Sequence, residues 1–72
     1  MKVNSYTCGD YVVFDNFVVA KKKDTYYGVH ETGLLSYKPC GPEITHGETL
    51  HQACKKAKLL QIGYNICKSN CE

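Results

Sequence analysis

The chain contains no arginine and no tryptophan, one methionine and only two prolines in 72 residues. Each shortage excludes something. Arginine is the usual residue for bidentate contact with guanine or phosphate, so its absence counts against base-specific DNA recognition. With so little proline there is no linker, and neither an internal repeat nor a low-complexity tract is visible. Apolar runs are short as well. The longest, residues 11–14 and 17–20, fall far below a signal-peptide core or a membrane span. No targeting segment and no membrane partner are therefore expected, and the expected compartment is the cytoplasm, a host's cytoplasm if the chain is viral. The charge excess is small too: nine lysines against seven carboxylates leave a net of +2, too mild to announce a nucleic-acid binder by itself.

What is present fits one small globular domain over residues 1–72. Hydrophobic residues at 43% and charged ones at 22% argue against disorder. A body of 8.1 kDa is near the lower limit for a self-sufficient core, so a homodimer or a bound partner would add needed burial. Six tyrosines without arginine suggest an AT-rich coding sequence, as in low-GC bacteria and their phages. The five cysteines, Cys8, Cys40, Cys54, Cys67 and Cys71, are odd in number. With no export signal, reduced thiols are expected rather than a disulfide framework.

Strand signals fill the first half. Residues 11–14 and 17–22 are β-branched and aromatic runs, separated by Asp15-Asn16 as a tight turn or a bulge. Residues 23–25 are a polar turn, 26–32 a strand, Gly33 a break and 34–38 a further short strand. Pro39-Cys40-Gly41-Pro42 reads as an irregular connector. Thr45 and Glu48 then fit a capping box. Leu50, Ala53, Cys54, Ala57, Leu60 and Tyr64 recur at helical spacing, predicting a helix over about residues 46–62. Gly63 suits a left-handed C-cap, with Tyr64 packing back on Leu59. Residues 64–67 could add a last strand, and residues 68–72 a frayed tail. The expected fold is α+β: a three-stranded antiparallel sheet, four-stranded with the last segment, and one helix packed across it in two layers.

Four chemistries deserve weighing. His46, His51 and Cys54, with Cys40, Cys67 and Cys71 in support, are zinc-ligand types, but no C-x2-C or H-x3-H pair is present. Cys54 lies on the core stripe, where a free thiol behaves as a small hydrophobe. No cofactor or metal site is expected. Cys40 near His46 is the minimum for thiol catalysis, but one sheet and one helix rarely enclose a pocket, and no phosphate-binding glycine loop exists. No enzyme is expected.

Lys21, Lys22 and Lys23, with Lys55, Lys56 and Lys58, hold six of the nine lysines. If the strand end meets the helix they form one patch, able to hold phosphates or an acidic protein. Tyr26, Tyr27 and Tyr37 could stack bases. Tyrosines and open sheet edges equally suit a protein partner.

The stretch Gly47-Glu48-Thr49-Leu50-His51-Gln52-Ala53-Cys54-Lys55-Lys56-Ala57-Lys58 resembles the helix opening of HicB-type antitoxins, which carry a G-[DE]-T-x-x-[EQ]-A-x-x-x-A pattern after three strands. The preceding strands and the Pro39 to Pro42 turn are also similar. The resemblance implies a β-β-β-α-β unit that blocks a toxin RNase. The function expected from the sequence is a non-enzymatic, stoichiometric inhibitor or regulator of another protein, encoded by a phage or mobile element. The alternatives are a non-specific nucleic-acid-binding module, a zinc mini-domain or a HicB-like fragment.

Overall fold

Strands alternating with two-residue turns make a meander the natural outcome for the first half of the chain. A computed structural model describes residues 3–23, 26–33 and 36–70. It contains β1 (Tyr6–Cys8), β2 (Tyr11–Phe14), β3 (Phe17–Lys23), β4 (Tyr26–Gly33), β5 (Ser36–Gly47) and one helix, α1 (Leu50–Asn70). All strand pairs are antiparallel and lie in sequence order, β1-β2-β3-β4-β5. The α+β architecture with one helix across the sheet is as expected, but the sheet has five strands rather than three or four.

Turn chemistry accounts for two of the differences. Cys8 pairs with Tyr11 across Gly9-Asp10, where Gly9 has φ 60°. Phe14 pairs with Phe17 across Asp15-Asn16, where Asp15 has φ 52°. A left-handed first position fits a two-residue hairpin, and aspartate tolerates it better than most side chains. Residues 11–14 and 17–23 are thus two hairpin strands, and a short β1 precedes them. Residues 34–35 of the expected 34–38 strand and residues 24–25 of the expected 23–25 turn lie outside the described residues.

The Pro39 to Pro42 segment is no connector, because it lies inside β5. This strand is an edge, where proline's missing N–H costs no ladder bond. It is also bulged: β5 uses the whole of residues 40–45 where β4 spends only residues 29–31. Gly41, at φ 81°, supplies the bend.

That bend lets the sheet roll. Phe17, Val18, Val19 and Ala20 of the central strand are buried in succession, so both faces are covered. On one face Phe14, Phe17, Val19 and Val29 meet Ala53 and Ala57 of α1. Val13, Val18, Ala20 and His30 alternate onto the other face, yet they too are buried. There β5 folds over them. Tyr37 reaches the Tyr11 ring at 5.9 Å, and the Gly41 carbonyl accepts from His30 Nδ1 at 3.1 Å. His30 Nε2 is buried with no hydrogen-bond partner among the described residues.

The helix also differs at both ends. It starts after Thr49, whose Oγ1 accepts from the Gln52 amide at 3.2 Å, while Gln52 Oε1 accepts from the Glu48 amide at 3.0 Å. This is capping-box chemistry four residues later than Thr45 and Glu48, because the sheet claims Thr45 through β5 and Glu48 lies in the bend before α1. Residues 64–67 continue the helix instead of forming a strand, and so do residues 68–70 of the expected tail. Tyr64 packs edge-on against Phe17 at 6.2 Å, which gives the extra turns a reason to stay helical.

Gly63 is therefore an interior helix residue and not a C-cap. A Cβ built on it meets nothing within 4 Å. Gly63→Ala is expected to raise stability by about 1 kcal/mol. That is a gain of roughly 4–8 °C in the thermal midpoint for a domain of this size. A lower midpoint would mean that the chain needs a left-handed residue there and that α1 ends at residue 62.

Candidate functional site

Burial along α1 separates two sides. Ala53, Ala57 and Gln61 are sealed against the sheet. At about 100° per residue, Leu59, Ile62 and Ile66 fall on the opposite side. Leu59 is 61% exposed and Ile66 46% exposed, and Ile62 is half-buried. With Lys55 they keep a four-three-four spacing, the interval of a helix seam that meets another helix. A helix with apolar residues on both sides is normally covered on both sides. Here only the sheet side has a partner within the described residues.

The six lysines do not converge on one patch. Lys55 and Lys58 line a hollow of about 360 Å³ beside Ser5, Val12, His51 and Cys54. Lys56 lies on the other flank, where its Nζ donates to the His46 carbonyl at 2.6 Å. Lys21 borders the start of α1 with Leu50 and Tyr27. The Lys22 side chain lies over Gly28, next to Glu43, on the face away from α1. Lys23 is exposed at the end of β3. The charge on α1 is nonetheless one-sided: residues 49–70 include four lysines and no carboxylate.

The tyrosines proposed for stacking are occupied. Tyr26 makes an edge contact with His46 at 5.6 Å, Tyr37 packs on Tyr11, and Tyr27 packs against the helix-side core. The Tyr37 hydroxyl is held above the usual tyrosine range, first by its hydrogen bond with the Cys8 thiol.

Zinc-ligand types are similarly dispersed. His51 and Cys54 share the Lys58 hollow, whereas His46 faces Glu43 at 3.8 Å. Among the described residues no three histidine, cysteine or acidic side chains gather at one point; Cys71 lies outside them. Cys8, Cys40, Cys54 and Cys67 are free thiols.

Burial pushes the Cys54 thiol above its ordinary range, because a thiolate there would lose its hydration. Cys40 and Cys67 are exposed. A thiol-reactive probe at neutral pH is expected to modify Cys40 and Cys67 first and Cys54 last. The linkage follows in sign. The unfolded Cys54 thiol releases its proton at lower pH than the folded one, so this contribution to stability falls as pH rises through the thiol range. Equal labelling rates at the three sites, read by peptide mass mapping, would contradict the burial.

The chain matches no family model, no curated protein and no solved structure. The resemblance to HicB-type antitoxins rests on residues 47–58 and the strands before them. After the helix it fails, because the segment that would form that unit's last strand is the end of α1. Among the described residues, no helix is long and apolar enough to cross a membrane.

The outer seam, Leu59, Ile62 and Ile66, was not among the residues the sequence singled out. Its signal is present as the four-three-four spacing from Lys55. A helix ending at residue 62 truncates that spacing before Ile66, leaving Leu59 to look like a capping contact.

Proposed function

We propose that this chain is a non-enzymatic protein that acts by binding another protein, as a stoichiometric inhibitor or regulator working by steric occlusion. The observation carrying this is the seam of exposed Leu59 and Ile66 with half-buried Ile62 between them, on a helix whose other side is already packed. Scattered exposed apolar residues need no explanation, but an aligned set does. Pairing through the sheet is the weaker route. One edge, β1, has three residues, and the other, β5, carries two prolines and a bulge. Such edges discourage strand addition. Lys55, Lys56 and Lys58 border the seam and would speed the approach of an acidic partner.

Leu59→Glu combined with Ile66→Glu tests the reading. Both side chains are exposed, so the melting temperature is expected to stay within a few degrees of wild type. Proteins retained specifically by the immobilised wild-type chain from its native host should be lost from the variant, as read by mass spectrometry. Identical retained sets from the two columns would remove α1 as the binding surface.

A further inference from the structure

The partner that fits the outer side of α1 is a helix, and its charge can be derived from the lysines around the seam. Leu59, Ile62 and Ile66 offer about two turns of apolar surface at the spacing of a helix–helix seam. Lys55 lies in line with that seam at its N-terminal end. Lys56 and Lys58, one on each flank, line the hollows beside Leu59 and Leu60 and beside Cys54. Around Ile62 and Ile66 the flanking positions are Gly63, Asn65 and Ser69, all uncharged. The surface is therefore apolar along its length and cationic at one end only.

We propose that this surface receives an amphipathic helix of another protein, whose apolar stripe lies on Leu59, Ile62 and Ile66 and whose carboxylates lie over Lys55, Lys56 and Lys58. This deepens the protein-binding function and depends on it. A second copy of the chain fits less well. It would bring the same cations and no helical carboxylate, and a parallel pair would set Lys55 against Lys55 in the seam. Like charges placed together disfavour that pairing, whereas flanking acids on the partner favour the unlike one. An open site at Gly63, where nothing lies within 4 Å, leaves room for close approach at the uncharged end.

Three synthetic helical peptides test this directly. All carry leucines at the same seam spacing; their flanking positions hold glutamate, glutamine or lysine. Binding is measured by fluorescence anisotropy at low and high salt, with analytical ultracentrifugation of the chain alone. The glutamate peptide is expected to bind about tenfold tighter than the glutamine one at low salt, with the gap shrinking as salt rises. Binding should vanish in the Leu59→Glu, Ile66→Glu variant. The glutamate preference alone should vanish when Lys55, Lys56 and Lys58 become glutamine.

Equal affinity for all three peptides would overturn the acidic helix and leave protein binding standing. No peptide binding, together with a dimer that the Leu59→Glu, Ile66→Glu variant dissociates, would identify a second copy as the occupant. No peptide binding by a monomeric chain would overturn the proposal. If that variant also retained every wild-type partner from the host, the seam would fall as the binding surface; protein binding itself would fall only if the wild-type chain specifically retained no host protein.

Discussion

Gly47→Ala is expected to abolish the cooperative thermal transition or lower its midpoint by well over 10 °C. Gly47 is the last residue of β5 and is buried beneath the first turns of α1. A Cβ there would sit 2.6 Å from the Ala53 amide nitrogen and 3.0 Å from its Cα. These are backbone atoms of a helix held by its cap and by Ala53 and Ala57, so no rotamer change relieves the overlap. Overpacking of this kind costs roughly 1–3 kcal/mol even where neighbours can shift. A domain of this size has only about 3–5 kcal/mol in total. Gly28→Ala is the control. Its nearest neighbours are the ends of the Glu43 and Lys22 side chains, which can swing into solvent, so it should melt within a few degrees of wild type. A Gly47 variant with wild-type melting would mean that α1 does not sit this close to β5.

The same contact shows what was legible in the sequence and what was not. The sheet-facing stripe of Ala53, Cys54, Ala57 and Leu60 follows from local periodicity, which the tertiary packing reinforces. Tyr27 and Val29 share the helix side, with His30 opposite, as strand alternation requires. Asp15-Asn16, between two aromatic-flanked runs, suits a tight turn or a bulge equally well from the sequence, and only the pairing of Phe14 with Phe17 decides for the turn. Gly9-Asp10 carried the same kind of hairpin signal, but three-residue β1 is too short and too polar to stand out before its partner is known. Residues 39–47 misled for a different reason. Two prolines normally end a strand, and only the topology reveals that β5 is an edge, where they are tolerated.

At Gly63 a local rule lost to a distant contact. Glycine near the end of an apolar pattern ordinarily predicts a left-handed stop. Tyr64 on Phe17 and Gln61 on Asn16 instead extend the packing past it, and the helix follows. The candidate site is hidden by the same local signal, since Ile66 joins Leu59 on one surface only if the helix runs through Gly63. The lysines were visible but their grouping was not: adjacent Lys55 and Lys56 diverge by about 100° around the axis, and Lys22 lies on the far face of the sheet from both.

Gln61 is the second residue whose change should have a large effect. It is 1% exposed, and its amide is fully used. Oε1 accepts from the Asn16 backbone N–H at 2.8 Å, while Nε2 donates to the side-chain oxygens of Asn16 and Asn65, each at 2.9 Å. The same hairpin turn is held from the other side by β4. The Thr32 amide donates to the Asn16 carbonyl and the Thr32 hydroxyl to the Asp15 carbonyl, both at 3.1 Å. Gln61→Met keeps much of the volume and removes all three bonds, leaving the Asn16 N–H and two asparagine side chains to find water from half-buried positions. At about 1–3 kcal/mol for each buried group left unpaired, a loss near 3 kcal/mol is expected. With Asn16→Ala, a double-mutant cycle on urea melts should give a coupling of about 1 kcal/mol or more. Additive losses, or a Met variant as stable as wild type, would show that packing alone holds the turn to the helix. The clamp matters for the proposed surface as well. Gln61 lies between Leu59 and Ile62 in sequence on the opposite side of α1, so the bond that fixes the helix to β2 and β3 also fixes the direction in which the seam faces.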